Sequence, residues 1–339
     1  MTDEKKIYKW QDYKSDQNIR WCPGCGDYSI LSQVQRVFAD IGRPPHEFAV
    51  ISGIGCSSRF PYYMNTYGFH TIHGRAPSFA TGVKLANPQL SVWQITGDGD
   101  GLSIGGNHLL HVLRRNVDLQ ILLFNNRIYG LTKGQYSPTS EVNKITKSTP
   151  KGSVDHPIEP CVFAMGADAS FVARTLDINA KHQRSILLEA YEHKGTSFVE
   201  IYQNCNIFND GAFASLTDKE SKGRMNLFCI DGQHLIFGGK NEPQYGIRMN
   251  ASWELESVEL SENPTEEELQ SKSILIHDVK NRTLGNLLAR LKSPVAMGVL
   301  YKENRPTYEE QALAQVELDR SKQPDITKAL YSGQTWVVE

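Results

Sequence analysis

The sequence lacks the features that point to a membrane, an exported or a nucleic-acid-binding protein. No apolar run approaches the roughly 20 residues that a membrane-spanning helix needs. The first residues are polar, and no apolar segment follows them that could serve as a secretory signal. Lysine plus arginine (36) nearly balance aspartate plus glutamate (38), so no basic excess indicates a nucleic-acid-binding face. We therefore expect a cytoplasmic protein without membrane or nucleic-acid partners.

Cysteine is also scarce, with six residues in a chain of 339. Without an export signal we expect these thiols to stay reduced, because the cytosol disfavours disulfides. A Cys-x-x-Cys pair in such a chain indicates metal or redox chemistry, and Cys22 and Cys25 form one. Cys161 and Cys229 have no informative neighbours, so we expect both to be small buried apolar residues.

Residues 21–205 alternate between helical and strand-like patterns. The apolar positions from Ser29 to Ile41 have helical spacing, whereas residues 48–51 form a short apolar run. Short apolar strands separated by helices predict an α/β fold, with a parallel sheet flanked by helices. Further strands are predicted at 91–96, 119–124 and 198–202, and further helices at 78–86, 108–115 and 178–191.

The pattern changes after about residue 206. Residues 228–237 are predicted to form a hairpin with Asp-Gly at its turn. Residues 260–272 are acidic and polar, which predicts a loop. Helices at 280–292 and 308–320 and a strand at 295–301 are predicted beyond it. We divide the chain into an N-terminal arm (1–20), a main domain (21–210) and a C-terminal extension (211–339).

Polar motifs follow two neighbouring predicted strands. Because one helix separates these strands, a parallel crossover would bring both strand ends to the same edge of the sheet. Asp98 offers a carboxylate, Asn126 an amide oxygen and Ile128 a backbone carbonyl, which are ligands that suit Mg²⁺. Each motif alone is commonly an ordinary turn, but together they predict a magnesium-held diphosphate. The motifs are Gly97-Asp98-Gly99-Asp100 and Asn125-Asn126.

Two further cysteines also follow predicted strands. Cys56 comes after residues 48–51, and Cys205 comes after residues 198–202. Together with Cys22 and Cys25 they could meet near one end of the sheet. Four thiolates hold either zinc or a [4Fe–4S] cluster, and the spacing alone does not separate these two.

In their order along the chain, these motifs resemble those of the β subunits of 2-oxoacid:ferredoxin oxidoreductases, which have the thiamine-diphosphate-binding fold. The resemblance covers about residues 20–210, with a weaker match at 294–310. It rests on the motifs W-C-P-G-C-G-D, G-I-G-C-S-S-R, H-G-R-A-P, G-D-G-D, N-N-x-x-Y-G-L-T-x-G-Q and N-C-N.

The resemblance implies three cofactors: thiamine diphosphate, Mg²⁺ and a [4Fe–4S] cluster. It assigns Mg²⁺ to Asp98, Asn126 and the Ile128 carbonyl. It assigns the cluster to Cys22, Cys25, Cys56 and Cys205, with a structural zinc site as the alternative. The residues expected to contact the organic cofactor or its metal are Gly55, Cys56, Ser57, His73, Gly97, Asp98, Gly99, Asp100, Asn126, Ile128, Leu131 and Thr132.

Arg59 and His73 are the candidate catalytic residues. An arginine can hold the carboxylate of a 2-oxoacid through two parallel hydrogen bonds, and the family position of Arg59 is basic and near the reacting carbon. His73 matches a family position near the diphosphate. An ordinary surface arginine and a structural histidine are the alternatives.

The implied reaction is the coenzyme-A-dependent oxidative decarboxylation of 2-oxoglutarate to succinyl-CoA, with electrons passing through the cluster to ferredoxin. No residue is suited to activate the aminopyrimidine of thiamine. The resemblance implies that a larger α subunit, or α and γ subunits, carries the activating carboxylate and much of the coenzyme A site, in a heteromer with two copies of each. The long C-terminal region and Arg59 favour 2-oxoglutarate over pyruvate. A non-redox thiamine decarboxylase or synthase would not need the cysteines, and a zinc-binding interaction protein would not need the Asp98 and Asn126 motifs.

Overall fold

The structure is a computed structural model that describes residues 7–239, 242–320 and 325–338. Its strands are β1 (Phe48–Ser52), β2 (Tyr67–His70), β3 (Ser91–Gly97), β4 (Leu119–Asn125), β5 (Phe171–Leu176), β6 (Thr196–Tyr202), β7 (Asn226–Cys229), β8 (Ile236–Phe237), β9 (Gln244–Met249), β10 (Leu255–Leu260) and β11 (Val295–Lys302). Its α-helices are α1 (Asp27–Ile41), α2 (Ala76–Ala86), α3 (Asp98–Leu102), α4 (Gly106–Arg115), α5 (Pro160–Gly166), α6 (Ala180–Glu192), α7 (Ala214–Thr217), α8 (Lys222–Met225), α9 (Glu266–Ser271), α10 (Arg282–Arg290), α11 (Tyr308–Arg320) and α12 (Ile326–Leu330). Short 3₁₀ helices span Trp10–Tyr13, Pro45–Glu47 and Ser57–Tyr63.

The main sheet has eight strands in the order β2-β1-β3-β4-β6-β5-β11-β7. Neighbouring strands pair in parallel, except that β11 is antiparallel to β5. Strands β4, β5 and β6 are buried along their whole length. The predicted α/β class, a largely parallel sheet between helices, is therefore confirmed. Strands β8, β9 and β10 form a separate small antiparallel sheet.

Two apolar clusters cover the two faces of the main sheet, because successive side chains of a strand point to opposite sides. Along β4, Ile121 and Leu123 belong to one cluster, whereas Leu122 and Phe124 belong to the other. Burying each such side chain contributes roughly 1.5–3 kcal/mol. Both faces of β4 are thus held against helices, which fixes where this strand ends at the site.

The described part of the predicted N-terminal arm packs against this body. Tyr13 is fully buried, and its ring lies edge-on against Phe38 at 5.7 Å and Phe48 at 5.8 Å. Phe38 and Phe48 stack on each other with ring centroids 4.0 Å apart. Gly42 follows the last residue of α1. It has a φ of 71° and donates its N–H to Phe38 O. The turn that glycine permits here leads the chain into β1.

Two expectations for the C-terminal region are wrong. Residues 228–237 do not form a hairpin, because β7 pairs in parallel with β11 while β8 pairs with β9. The turn at Gly232 instead leads from the main sheet to the small one, and its N–H donates to His277 O at 2.8 Å. Residues 260–272 are not all loop, because they contain α9. Thr265 caps this helix by accepting from Glu268 N, and glutamates favour its first turn.

The C-terminal extension contributes to the main sheet. Strand β11 lies between β5 and β7 in that sheet, and Leu284 and Leu288 of α10 belong to a core cluster of the main domain. The main domain and the extension therefore share one core. Within the described ranges, no helix is both long and apolar enough to cross a bilayer.

The stability of this fold should depend on the protonation of His182. Burial lowers the pKa of His182 to about 4, and the ring packs edge-on against Phe228 at 5.0 Å. The unfolded chain, with a histidine pKa near 6.5, binds the proton more readily, so stability falls as pH falls from about 6.5 towards 4. We expect His182→Gln to reduce the slope of stability against pH by up to about 1.4 kcal/mol per pH unit. Urea unfolding at a series of pH values would measure this, and an unchanged slope would contradict it.

Candidate functional site

A pocket lies at the carboxyl edge of the main sheet, where β1, β3 and β4 end side by side. Ligands of parallel α/β sheets bind at such edges. All twelve residues that were predicted to contact the cofactor line this pocket: Gly55, Cys56, Ser57, His73, Gly97, Asp98, Gly99, Asp100, Asn126, Ile128, Leu131 and Thr132. The lining also includes residues that had been given no role: Ile54, Ser103, Ile104, Phe124, Tyr129 and Gly130.

Asp98 is the most deeply buried carboxylate of the pocket, with 2% of its surface exposed. Its Oδ2 accepts hydrogen bonds from Ser137 Oγ and Thr139 Oγ1, both at 2.5 Å. Burial raises the pKa of Asp98 to about 6, although these two hydroxyls act in the opposite direction. A bound cation would favour the charged form of this carboxylate. Sequence reasoning missed Ser137 and Thr139, because they lie in a long loop without a motif.

The predicted oxygen ligands after β4 also reach the pocket. Asn126 Oδ1 accepts a hydrogen bond from Ile128 N at 3.1 Å, which holds the amide oxygen close to the turn. Asn209 Nδ2 donates to Asn126 O at 2.9 Å and supports the turn from outside. The structure therefore brings Asp98, Asn126 and Ile128 to one pocket, as their spacing predicted.

Asp100 connects the loops that surround the pocket. Its Oδ1 accepts from Gly74 N at 2.8 Å, and its Oδ2 accepts from Thr96 Oγ1 at 3.0 Å. A Cβ atom at Gly53 would lie 1.8 Å from Asp100 Oδ2, so any larger residue there would displace this carboxylate. Both carboxylate oxygens of Asp100 thus bond to the protein itself, and this side chain shapes the pocket wall.

Gly99 allows an aromatic ring to pack on the turn after β3. A Cβ atom at Gly99 would lie 2.2 Å from the ring of Tyr129, and the Tyr129 hydroxyl donates to Gly99 O at 3.2 Å. A side chain at position 99 would push the Tyr129 ring away. Glycine therefore allows the turn after β3 and the turn after β4 to stay in contact.

The cysteine-bearing loops converge beside the same pocket. A Cβ atom at Gly130 would lie 3.6 Å from Cys56 Sγ and 3.6 Å from Cys205 Sγ, so these sulfurs are at most twice that distance apart. Trp21 Nε1 donates to Cys56 O at 2.6 Å, which joins the Cys22–Cys25 loop to the turn after β1.

Cys25 is a partly buried member of this group of cysteines. Gln203 Nε2 donates to Cys25 Sγ at 3.3 Å. Burial raises the pKa of the Cys25 thiol, and the nearby Asp27 carboxylate raises it further. The same two causes raise the pKa of Cys56 to about 12. These thiols therefore favour the protonated form unless a metal takes the place of the proton. In the described ranges, no three His, Cys, Asp or Glu side chains are arranged to hold a single metal ion.

Arg59 lies near Cys56 and outside the lining of the pocket. Its Nε donates to the Tyr63 hydroxyl at 3.0 Å, and its guanidinium lies 5.7 Å from the Tyr62 ring centroid. Its positive charge acts on Cys56 in the direction that lowers the thiol pKa. The side chain is thus held at the cysteine side of the site, whereas His73 lines the pocket itself.

Comparisons with known proteins agree with this geometry. Residues 53–201 match the thiamine pyrophosphate enzyme family, C-terminal TPP-binding domain. The chain is 47% identical to the 2-oxoglutarate oxidoreductase subunit KorB of Mycobacterium tuberculosis, over 98% of this chain and 89% of that one. It is 44% identical to the 2-oxoacid:ferredoxin oxidoreductase 1 subunit beta of Aeropyrum pernix, over 58% of this chain and 62% of that one. It is also similar to a structure of 2-oxoglutarate:ferredoxin oxidoreductase from Magnetococcus marinus with 2-oxoglutarate, coenzyme A and succinyl-CoA bound. There the TM-score is 0.77 and the identity 32%, with 98% of both chains covered.

A pair of glycine substitutions would test how closely the pocket loops must approach. A Cβ atom at Gly74 would lie 2.5 Å from Gly105 N, in a backbone with a φ of +67°. We expect Gly74→Ala to destabilise the protein by about 1–3 kcal/mol, because the two backbones must separate. Gly82→Ala is the matched control, since nothing lies within 4 Å of its added Cβ, and alanine should stabilise α2 by about 0.5–1 kcal/mol. Unfolding midpoints would measure both changes, and equal midpoints would contradict the prediction.

Proposed function

The chain belongs to the β subunits of the 2-oxoacid:ferredoxin oxidoreductases, and on that premise we propose that it takes part in the oxidative decarboxylation of 2-oxoglutarate. The reaction consumes 2-oxoglutarate and coenzyme A, releases CO₂ and succinyl-CoA, and transfers two electrons to ferredoxin. The substrate follows the relatives, two of which are named for 2-oxoglutarate. We call Cys22, Cys25, Cys56 and Cys205 the cysteine set. The proposal depends on the observation that Cys56 belongs to this set and also lines the pocket.

The residues of the pocket suit thiamine diphosphate held through Mg²⁺. Asp98, Asn126 and the Ile128 carbonyl provide the oxygen atoms for the ion, and Asp98 is a buried carboxylate whose pKa is raised in the absence of a cation. Gly97 lines the pocket without a side chain and leaves room for the diphosphate beside the main chain. When bound, thiamine diphosphate supplies the carbon centre that attacks the 2-oxo group and accepts the electrons that decarboxylation leaves behind.

The four cysteine positions suit a [4Fe–4S] cluster. Cys22, Cys25, Cys56 and Cys205 lie on three loops that contact one another. The pKa values of Cys25 and Cys56 are raised, so these two thiols need a positively charged partner to ionise. Gln203 donates to one of these sulfurs, and such hydrogen bonds adjust the potential of a cluster.

The arrangement explains how this chain separates substrate chemistry from electron transfer. Gly130 and Cys56 both line the pocket, and a Cβ atom at Gly130 would lie 3.6 Å from the sulfurs of Cys56 and Cys205. A cluster held by these sulfurs would therefore lie next to the pocket. Arg59, held by Tyr63 beside Cys56, is our candidate for the substrate carboxylate, and His73 is our candidate for the diphosphate.

The site of this chain is incomplete for thiamine chemistry. Activation of the aminopyrimidine requires a carboxylate. Among the described residues that line the pocket, Asp98 is our metal ligand, and both oxygens of Asp100 bond to the surrounding loops. We propose that a larger α subunit, or α and γ subunits, brings that carboxylate and much of the coenzyme A site, in a heteromer with two copies of each. Ile104 and Leu131 line the pocket and are 62% and 54% exposed, which suits a site completed by a partner.

Metal analysis would test the cluster directly. We expect the anaerobically purified chain to contain about four iron and four acid-labile sulfide atoms. Cys205→Ser should lose most of this iron, because one of the four ligands is removed. Cys229→Ser is the control, since Cys229 is a buried thiol of a core cluster, and it should keep the iron. Zinc in the place of iron, or equal iron in all three proteins, would contradict the assignment.

Turnover assays would test the divided site and the substrate. The chain purified alone should show no coenzyme-A-dependent turnover, because the activating carboxylate lies on its partner. Together with that partner it should oxidise 2-oxoglutarate with a higher kcat/KM than pyruvate, with reduction of ferredoxin as the measured signal. Full activity of the chain alone would refute the divided site, and a strong preference for pyruvate would refute the substrate assignment.

A further inference from the structure

A buried ion pair lies beneath the metal-binding turn. Arg174 of β5 and Glu200 of β6 are 1% and 0% exposed, and Arg174 Nε lies 2.7 Å from Glu200 Oε2. Burying two charges is costly unless their remaining donors and acceptors are also bonded. Arg174 satisfies this condition through the C-terminal extension, because its terminal nitrogens donate to Ala289 O at 3.2 Å and Ala296 O at 3.4 Å.

The second oxygen of Glu200 fixes the amide of Asn125. Asn125 Nδ2 donates to Glu200 Oε1 at 2.7 Å. Because an ionised carboxylate can only accept, the amide nitrogen must face Glu200 and the amide oxygen must face the other way. That oxygen, Asn125 Oδ1, accepts from Arg127 N at 3.2 Å and from Thr139 Oγ1 at 2.9 Å. Glu200 thus determines which group Asn125 presents to the loop.

Thr139 connects this arrangement to the pocket. Its hydroxyl lies 2.9 Å from Asn125 Oδ1 and 2.5 Å from Asp98 Oδ2, so its one proton lies between two acceptors. Hydrogen bonds to an ionised carboxylate are the stronger ones, so Thr139 shares this proton unequally, with the stronger bond to Asp98 and the weaker bond to Asn125. Ser137 donates to the same Oδ2. Both hydroxyls therefore hold Oδ2.

We propose that Glu200, acting through Asn125 and Thr139, is a positioning residue that aims the carboxylate of Asp98 at Mg²⁺. The inference rests on the magnesium site of the proposed function. None of these three residues lines the pocket as described, so they act through Asp98 and do not touch the cofactor. Since Arg174 holds Glu200 and is itself held by Ala289 and Ala296, the C-terminal extension supports the metal site through this chain of bonds.

The first test removes one hydroxyl. Thr139→Val keeps the shape of the side chain but cannot bond to Asp98 or Asn125. In the assembled complex, stripped of metal and cofactor and then saturated with thiamine diphosphate, we expect this change to weaken Mn²⁺ binding about tenfold or more. Mn²⁺ electron paramagnetic resonance measures the free ion directly, so the result does not depend on turnover.

Two matched variants separate positioning from general loss of stability. Thr139→Ser restores the hydroxyl and should bind Mn²⁺ within about threefold of the wild type, because its bond to Asp98 remains. Thr196→Val removes a hydroxyl that is equally buried on β6 and donates to Val117 O at 2.7 Å, away from this chain of bonds. It should lose stability without weakening Mn²⁺ binding.

The last test asks whether Glu200 and Thr139 act along one path. Glu200→Gln should weaken Mn²⁺ binding, and the double variant with Thr139→Val should be no weaker than the worse single variant. If Glu200→Gln does not assemble, Asn125→Leu breaks the same link while keeping the Arg174–Glu200 pair, with the same expectation. Additive losses, or equal binding by Thr139→Val and Thr196→Val, would overturn the inference. Absence of thiamine-dependent Mn²⁺ binding in the wild type would instead refute the proposed function.

Discussion

The parallel pairing of β1, β3, β4 and β6 is the constraint on which the rest of the structure depends. Ser52 pairs with Ile95, Gly97 with Phe124, and Asn125 with Tyr202, so these strands reach their carboxyl ends at the same level. Each strand is then followed by a polar loop, and four loops distant in the chain become neighbours. A slip of one residue would turn every side chain of a strand to the opposite face, which both apolar clusters oppose.

The sequence predicted those parts of the site that lie next to a strand end. Asp98 and Asn126 follow apolar runs directly, and the crossover rule alone places them together. Thr139 could not be predicted, because its loop has no periodic pattern and its contact with Asp98 depends on the path of that whole loop. The predicted hairpin at 228–237 failed for a related reason. Its Asp-Gly turn is a strong local signal, but β7 pairs with β11, some 70 residues later.

Burial explains why this pocket and the cysteine set suit cations. The same low-dielectric surroundings raise the pKa of Asp98 and of Cys56, so each group favours its proton in the absence of a metal. Binding a cation replaces that proton and restores the charge that the buried site otherwise disfavours. Cys56 takes part in both regions, because it follows β1 directly and Gly130 leaves space beside it. The pocket and the cysteine set therefore share one turn of the backbone.

The C-terminal extension bonds to a buried charge of the main domain. Arg174 is buried in a strand of the main sheet, and the main domain alone satisfies its Nε through Glu200. The other nitrogens bond to carbonyls at Ala289 and Ala296, beyond the predicted boundary. Without them, guanidinium donors would remain unbonded in the core, at a cost of about 1–3 kcal/mol or more for each. The buried charge that fixes Asn125 and the end of β4 thus depends on carbonyl groups of the extension.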